Sequence, residues 1–233
     1  MDSTSKPVYQ VAVLMFDGVE ILDFAGPVEI LSQISYNNNP DAPEHVFQFH
    51  LVANSQAVRS GGCITVNADL TFEEATKKID SFDILIVPGG PLRVIKDLYD
   101  THAAELKFIE AFNKAAPAKD GQERVIMSVC TGALLLGSTG ALSGLTATTH
   151  HRALDMLRDI CRNASKGMEG AKTVEVVSKR YVDGGLNAAG IRVITAGGIS
   201  CGLDASLYLG SLKTSVEAAE LVCRESEYEW RRD

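Results

Sequence analysis

Short apolar runs separated by polar turns run through this chain, and their spacing alternates between two periods. Val8 to Met15 is almost continuously apolar, as in a strand covered on both faces, and Asp17-Gly18 ends it as a turn. Ala25 to Ile34 predicts a helix, with Pro27 tolerated in its first turn. Val46 to Ala53 predicts a second strand, and Val58 to Val66 a hairpin-like pair broken at Gly61-Gly62. Thr71 is placed to cap a short helix through Phe72-Glu73-Glu74. Phe82 to Val87 predicts another buried strand, which stops at Pro88-Gly89-Gly90-Pro91. Thr101 to Ala116 predicts a helix with Leu106, Ile109, Ala111 and Phe112 inward.

Arg124 to Val129 predicts a strand that feeds Cys130, and the small, apolar residues after Cys130 predict a helix. Ala147 to Thr149 predicts a short strand ending at His150-His151, and Ala153 to Cys161 a helix buried through Leu154, Leu157 and Ile160. Val174 to Val182 predicts a bent strand closed by an Asp183-Gly184-Gly185 turn. Arg192 to Ala196 predicts the last strand, followed by Gly197-Gly198, and Cys201 to Cys223 a single long closing helix.

Strands alternating with helices predict a single α/β domain, its mainly parallel sheet sandwiched by helices. Its expected bounds are residues 8–228, with polar tails at 1–7 and 229–233. Asn37 to Pro40, Ala116 to Glu123 and Lys166 to Gly170 predict exposed loops. In such sheets ligands bind beyond the carboxyl ends of the strands. Four predicted strand ends carry marked residues: Asp17 to Asp23, Pro88 to Pro91, Cys130, and Gly197 to Ser200. If those strands are parallel, all four share one rim.

The formal net charge of -8 over 233 residues argues against nucleic acid or an anionic membrane surface as the main partner. Val11 to Phe16, Ile84 to Val87 and Ala133 to Leu136 are too short to span a membrane. The polar start, Met1-Asp-Ser-Thr-Ser-Lys-Pro, resembles no signal peptide. Five cysteines without a C-x-x-C spacing predict neither a disulfide framework nor a zinc site, and a reducing, cytoplasmic setting is expected.

Cys130 is the one cysteine at a strand-to-helix junction. Such an elbow exposes the sulfur and aims a helix N-terminus at it, which favours thiolate. The competing reading is a buried core cysteine, the role expected of Cys63, Cys161, Cys201 and Cys223. N–H groups of Thr131 and Gly90 are candidate donors to a developing anion. Asp23, flanked by apolar residues, reads either as a helix cap or as a carboxylic partner for the cysteine. Asp17 and Glu20 suit surface turns. His150 reads as a base or as a structural histidine.

Five segments together resemble the ThiJ/PfpI superfamily, a branch of the class I glutamine amidotransferase-like, flavodoxin-like fold. They are Leu22-Asp23-Phe24-Ala25-Gly26-Pro27, Ile86-Val87-Pro88-Gly89-Gly90, Ser128-Val129-Cys130-Thr131-Gly132, Ala147-Thr148-Thr149-His150 and Gly197-Gly198-Ile199. Within the superfamily the chain is most similar to the isonitrile (isocyanide) hydratase group. The resemblance implies Cys130 as nucleophile, Asp23 as its acid, Thr131 beside them in catalysis, and Gly90 and Thr131 as the oxyanion hole. It implies a small-molecule pocket with Gly89, His150, Gly197 and Ile199, and a homodimer with the site near the interface. Related peptidases and chaperones carry His directly after the nucleophile, where this chain has Thr131. His151 also departs from the hydratases, which carry an aromatic residue there.

The implied reaction is hydration of an isonitrile to an N-substituted formamide through a thioimidate on Cys130. It needs no metal or organic cofactor, because the isonitrile carbon is already electrophilic. The alternatives are glyoxalase- or deglycase-like work on methylglyoxal, and a redox or stress sensor. Sensors of the regulator type carry an appended helix-turn-helix, and the short stretch after Val222 disfavours that version.

Overall fold

The computed structural model of the chain describes residues 6–115, 123–166 and 170–232. Its strands are β1 (Tyr9–Leu14), β2 (Phe47–Ala53), β3 (Ala57–Ser60), β4 (Ile64–Asn67), β5 (Leu70–Thr71), β6 (Ile84–Val87), β7 (Val125–Ser128), β8 (Thr146–Ala147), β9 (Glu175–Val176), β10 (Tyr181–Leu186) and β11 (Arg192–Ala196). Its helices are α1 (Ile21–Gln33), α2 (Phe72–Lys77), α3 (Leu92–Asp100), α4 (Ala104–Lys114), α5 (Gly132–Ser138), α6 (Leu154–Ser165), α7 (Cys201–Lys213) and α8 (Val216–Glu225).

Seven strands form one sheet in the order β10-β11-β7-β6-β1-β2-β5. Every neighbouring pair is parallel except β10 with β11. Helices flank the sheet, with α1 on α7, α7 on α8 and α5 on α6. The central strands β6 and β7 are buried at every residue, as the unbroken apolar runs require. Arg124, buried just before β7, is satisfied at the end of the sheet away from Cys130. Its Nε donates to Phe82 O at 3.0 Å and its Nη2 to Ile79 O at 2.8 Å, and the guanidinium lies 4.0 Å from the Phe112 ring centre.

The expected α/β architecture is present, and β1, β6, β7 and β11 run parallel, so their carboxyl ends share one rim. Several local expectations change. Helix α1 starts at Ile21, not Ala25, because Ile21 packs on the hairpin near Gly61 and draws the helix start back. Asp23 therefore sits inside the first turn and is no cap; Glu20 holds the capping position without a side-chain bond. Pro27 lies inside the helix, two turns from the start, where its missing N–H deprives the Asp23 carbonyl of its helical partner. Helix α3 was not expected, and Thr101, expected to open the next helix, closes α3 by donating its hydroxyl to Asp97 O at 2.8 Å.

Asp183-Gly184-Gly185 is not a turn. Strand β10 runs through it with a bulge, and a Cβ on Gly184 would lie 2.8 Å from Thr146 O. The expected closing helix breaks at Thr214, and Ser215 caps α8 by accepting from Ala218 N at 3.2 Å. Cys63, expected in the core, is exposed on the hairpin turn. The Thr71 cap is present, as a full capping box with Glu74. Most of the loops expected at Ala116 to Glu123 and Lys166 to Gly170, and most of the N-terminal tail, fall outside the described residues.

The end of the chain is tied to α7. Asp204, fully buried, accepts from Arg180 Nε at 2.6 Å, from the Tyr228 hydroxyl at 3.1 Å and from Arg231 N at 2.9 Å. Among the described residues no helix is long and apolar enough to cross a membrane.

Candidate active site

Cys130 sits where β7 becomes α5, with a backbone φ of +56°, a left-handed value that strains any residue with a Cβ. Three bonds hold it there. Its N–H is shared between Gly197 O at 2.8 Å and Ala196 O at 3.1 Å, and its carbonyl accepts from Thr149 Oγ1 at 2.8 Å. Gly132, two residues on, is needed for the turn: a Cβ there would lie 2.2 Å from Val87 O. The cysteine is nonetheless 6% exposed, at the wall of a cavity.

Asp23 is completely buried. Its Oδ2 accepts from Gly89 N at 3.0 Å, while Oδ1 has no hydrogen-bond partner of normal geometry. The group it faces is the Cys130 thiol, and the two influence each other's ionisation. Burial pushes the Asp23 carboxyl up to about 7, the Gly89 N–H pulls it back, and the charge of Glu20 adds to the rise. Gly89 has no room for a side chain, since a Cβ would lie 2.5 Å from Thr131 Oγ1 and 2.6 Å from Thr131 N.

Burial at the elbow works against the thiolate expected there. Burial pushes the Cys130 thiol up to about 12, and the Asp23 charge adds to that. Backbone N–H groups of Ile199 and Thr131 face the sulfur and pull the other way without prevailing. Desolvation outweighs the end of a seven-residue helix here.

Thr131 clamps the cysteine elbow to the turn after β6. Its hydroxyl donates to Gly90 O at 2.7 Å and accepts from Gly90 N at 2.9 Å. The Gly90 N–H, expected in an oxyanion hole, is thus engaged, and so is the Thr131 hydroxyl. Thr131 N–H keeps its expected place by the sulfur, and Ile199 N–H joins it. Ile199 has φ +41°, a second strained residue beside the first, and its side chain is 40% exposed.

Glu20, Gly90, Cys130, Thr131, His150 and Ile199 help line a cavity of about 320 Å³. Gly89 is behind this wall, as anchor of Asp23. Gly197 lines a neighbouring cavity that shares His150 and Ile199. His150 Nδ1 accepts from Arg152 N at 3.2 Å, which assigns the proton of the neutral ring to Nε2. Burial lowers its pKa, and the charges of His151 and Arg152 lower it further. Its ring packs on Gly198, where a Cβ would lie 2.6 Å from His150 Cδ2.

Three residues escaped the sequence reading. Glu20 lines the cavity instead of serving a surface turn, a position signalled by its spacing of three from Asp23. Arg152 lines it as well. Thr149 holds the elbow carbonyl. Asp17 keeps its turn role, accepting from Arg59 N at 2.8 Å. No three His, Cys, Asp or Glu side chains among the described residues gather as metal ligands would.

A parallel α/β sheet with a cysteine elbow, a buried acid against the thiol and a Gly-Gly turn beside them defines the class of cysteine-elbow α/β proteins. The chain belongs to the DJ-1/PfpI family, whose model matches residues 9–189. It is 30% identical to an isonitrile hydratase of Pseudomonas putida, over 94% of this chain and 78% of that protein. A ThiJ/PfpI family protein from Pseudomonas syringae has the same fold, with TM-score 0.72 and 24% identity over 96% of this chain and 76% of that one. So does Drosophila melanogaster DJ-1beta, with TM-score 0.68 and 15% identity over 96% of this chain and 100% of that one.

Proposed function

We propose that the protein hydrates an isonitrile, R–N≡C, to the N-substituted formamide, using Cys130 as nucleophile and Asp23 as proton carrier. The observation that carries this reading is the Asp23 carboxyl, buried against the Cys130 thiol and poised near neutrality. The similarity to isonitrile hydratase supports the choice of substrate.

In this reading the reaction starts from a neutral thiol. Cys130 begins as thiol and Asp23 as carboxylate. Asp23 takes the thiol proton as sulfur bonds to the isonitrile carbon, then delivers that proton to the same carbon, giving the thioimidate Cys130–S–CH=N–R. Water adds across C=N, with Asp23 accepting one water proton and nitrogen gaining one. The C–S bond then breaks, R–NH–CHO leaves, and Asp23 returns the proton to sulfur. A group that alternates between base and acid works best with a pKa near the ambient pH. The N–H groups of Thr131 and Ile199 stabilise the sulfur whenever it carries negative charge.

The same proposal includes a homodimer. Leu22 and Ile64, 37% and 42% exposed, are apolar residues on α1 and the β3–β4 hairpin, which meet at Ile21 and Gly61 beside the site. Light scattering giving a monomer at micromolar concentration would contradict it.

The functional test is direct. Cys130→Ala and Asp23→Asn each lose isonitrile hydration, and wild type stopped early carries one isonitrile mass on the peptide containing Cys130. Full activity in either variant refutes the mechanism. Turnover of methylglyoxal with none of isonitrile moves the protein to the glyoxalase-like reading. Rapid sulfinic acid formation at Cys130 under mild peroxide, with no turnover of either, marks a sensor.

A further inference from the structure

The cavity adjoining the catalytic one is the larger of the two, about 590 Å³, and shares the lining residues His150 and Ile199 with it. Its lining has a charge pattern opposite to that of the chain. The protein carries a net charge of -8, yet no carboxylate lines this cavity, while Lys179, Arg180, His150 and His151 do. Arg180 is neutralised by the buried Asp204. Lys179 is exposed and makes no ion pair among the described residues, and the same holds for Arg152 in the smaller cavity. The amino end of the 13-residue helix α7 opens through Ser200 and Cys201 into the same space, adding positive potential. One unpaired cation, Lys179, and a helix N-terminus border the larger hollow, which no carboxylate lines, and together they constitute an anion seat. The smaller cavity has one lining carboxylate, Glu20.

We propose that the larger cavity seats a carboxylate carried by the substrate, so that the isonitrile attacked at Cys130 is an anionic one with its carboxylate a few bonds from the reacting carbon. The proposal rests on the hydratase reading for its chemistry, but the seat itself is testable without it. The depressed His150 pKa, with His151 and Arg152 among its causes, fits a cationic surrounding. Lys179 is the binding residue at the mouth of this seat. Arg152 strengthens the field on the side of the sulfur.

Two measurements decide it. In the first, kcat/KM is compared for 2-isocyanoacetate and its methyl ester. The free acid is favoured by roughly tenfold at low salt, the preference shrinks as salt rises, and Lys179→Glu brings it to one or below. In the second, alkylation of Cys130 by anionic iodoacetate and neutral iodoacetamide is followed by peptide mass spectrometry, with exposed Cys63 as internal reference. The iodoacetate-to-iodoacetamide rate ratio is several-fold higher at Cys130 than at Cys63, and Lys179→Glu removes the excess. A ratio at Cys130 no higher than at Cys63, or one that Lys179→Glu leaves unmoved, overturns the seat. If neither isonitrile is turned over while the alkylation ratio behaves as stated, the hydratase reading falls and the anion seat stands. If both are turned over equally and the alkylation ratio is flat, the hydratase reading stands and the seat falls.

Discussion

Asp23→Asn should change the pH dependence of stability in a way that isolates the buried carboxyl. Its pKa rises on folding from an ordinary 3.8 to about 7, with burial as the main cause. Between those values the folded state holds a proton that the unfolded state has lost, so stability falls as pH rises through this window and levels off above it. The interval is roughly 3 pH units, and at about 1.36 kcal/mol per unit the ionised carboxylate costs the folded state up to ~4 kcal/mol. Part of that cost is already incurred below pH 5, because the unfolded carboxyl ionises near 4. The wild type therefore loses about 2–3 kcal/mol between pH 5 and pH 8 through this one group. Asparagine does not titrate. It brings N–H donors to a spot where Oδ1 finds no partner, a penalty of about 1–3 kcal/mol that is the same at both pH values. Cys130, at about 12, stays a thiol throughout. Other titrating groups are common to both proteins and cancel in the difference. Urea unfolding of the two proteins at pH 5 and pH 8 should thus show the variant gaining about 2–3 kcal/mol on the wild type as pH rises. A difference that is the same at both pH values within ~0.5 kcal/mol would refute the placement of an ionisable, desolvated Asp23.

Thr131→Val removes both bonds to Gly90 and leaves its N–H and C=O without their partner, at about 1–3 kcal/mol each. For a chain of this size the combined loss lowers Tm by roughly 4–24 °C, whereas Thr131→Ser keeps it near wild type; an unchanged Tm in the valine variant counts against the clamp. Asp204→Ala strands the Arg180 guanidinium and releases Tyr228 and Arg231. Urea unfolding should show a loss of about 3 kcal/mol, near the low end for a buried pair because Arg180 is partly in solvent, and a loss under ~1 kcal/mol would be inconsistent with it.

The parallel sheet was legible because β1, β6 and β7 are short apolar runs that only a doubly covered strand can bury. The rim was legible because each of those runs ends in residues that cannot continue a strand. What escaped follows from packing between distant segments. Nothing near Asp183-Gly184-Gly185 signals that β11 recruits it as an edge strand, with the bulge absorbed at glycine. Nothing near Ile21 signals the hairpin that draws α1 back and turns Asp23 from a cap into an interior acid. At the site, the residue types were visible in the sequence, but their ionisation was not. The elbow suggests thiolate, and the opposite outcome comes from desolvation and from Asp23, which lies more than a hundred positions away in the chain.

Cys130 and Ile199 are strained neighbours joined by an N–H directed at sulfur, and neither position could hold its shape alone. The elbow's amide is fastened to Ala196 and Gly197, at the end of a strand formed more than sixty residues later in the chain. The elbow cysteine therefore has no local structure to fall back on. In a chain in which β11 has not docked on β7, the Cys130 amide lacks both of these partners, so the elbow geometry is completed only with that strand. The strained geometry at Cys130 reports completed folding.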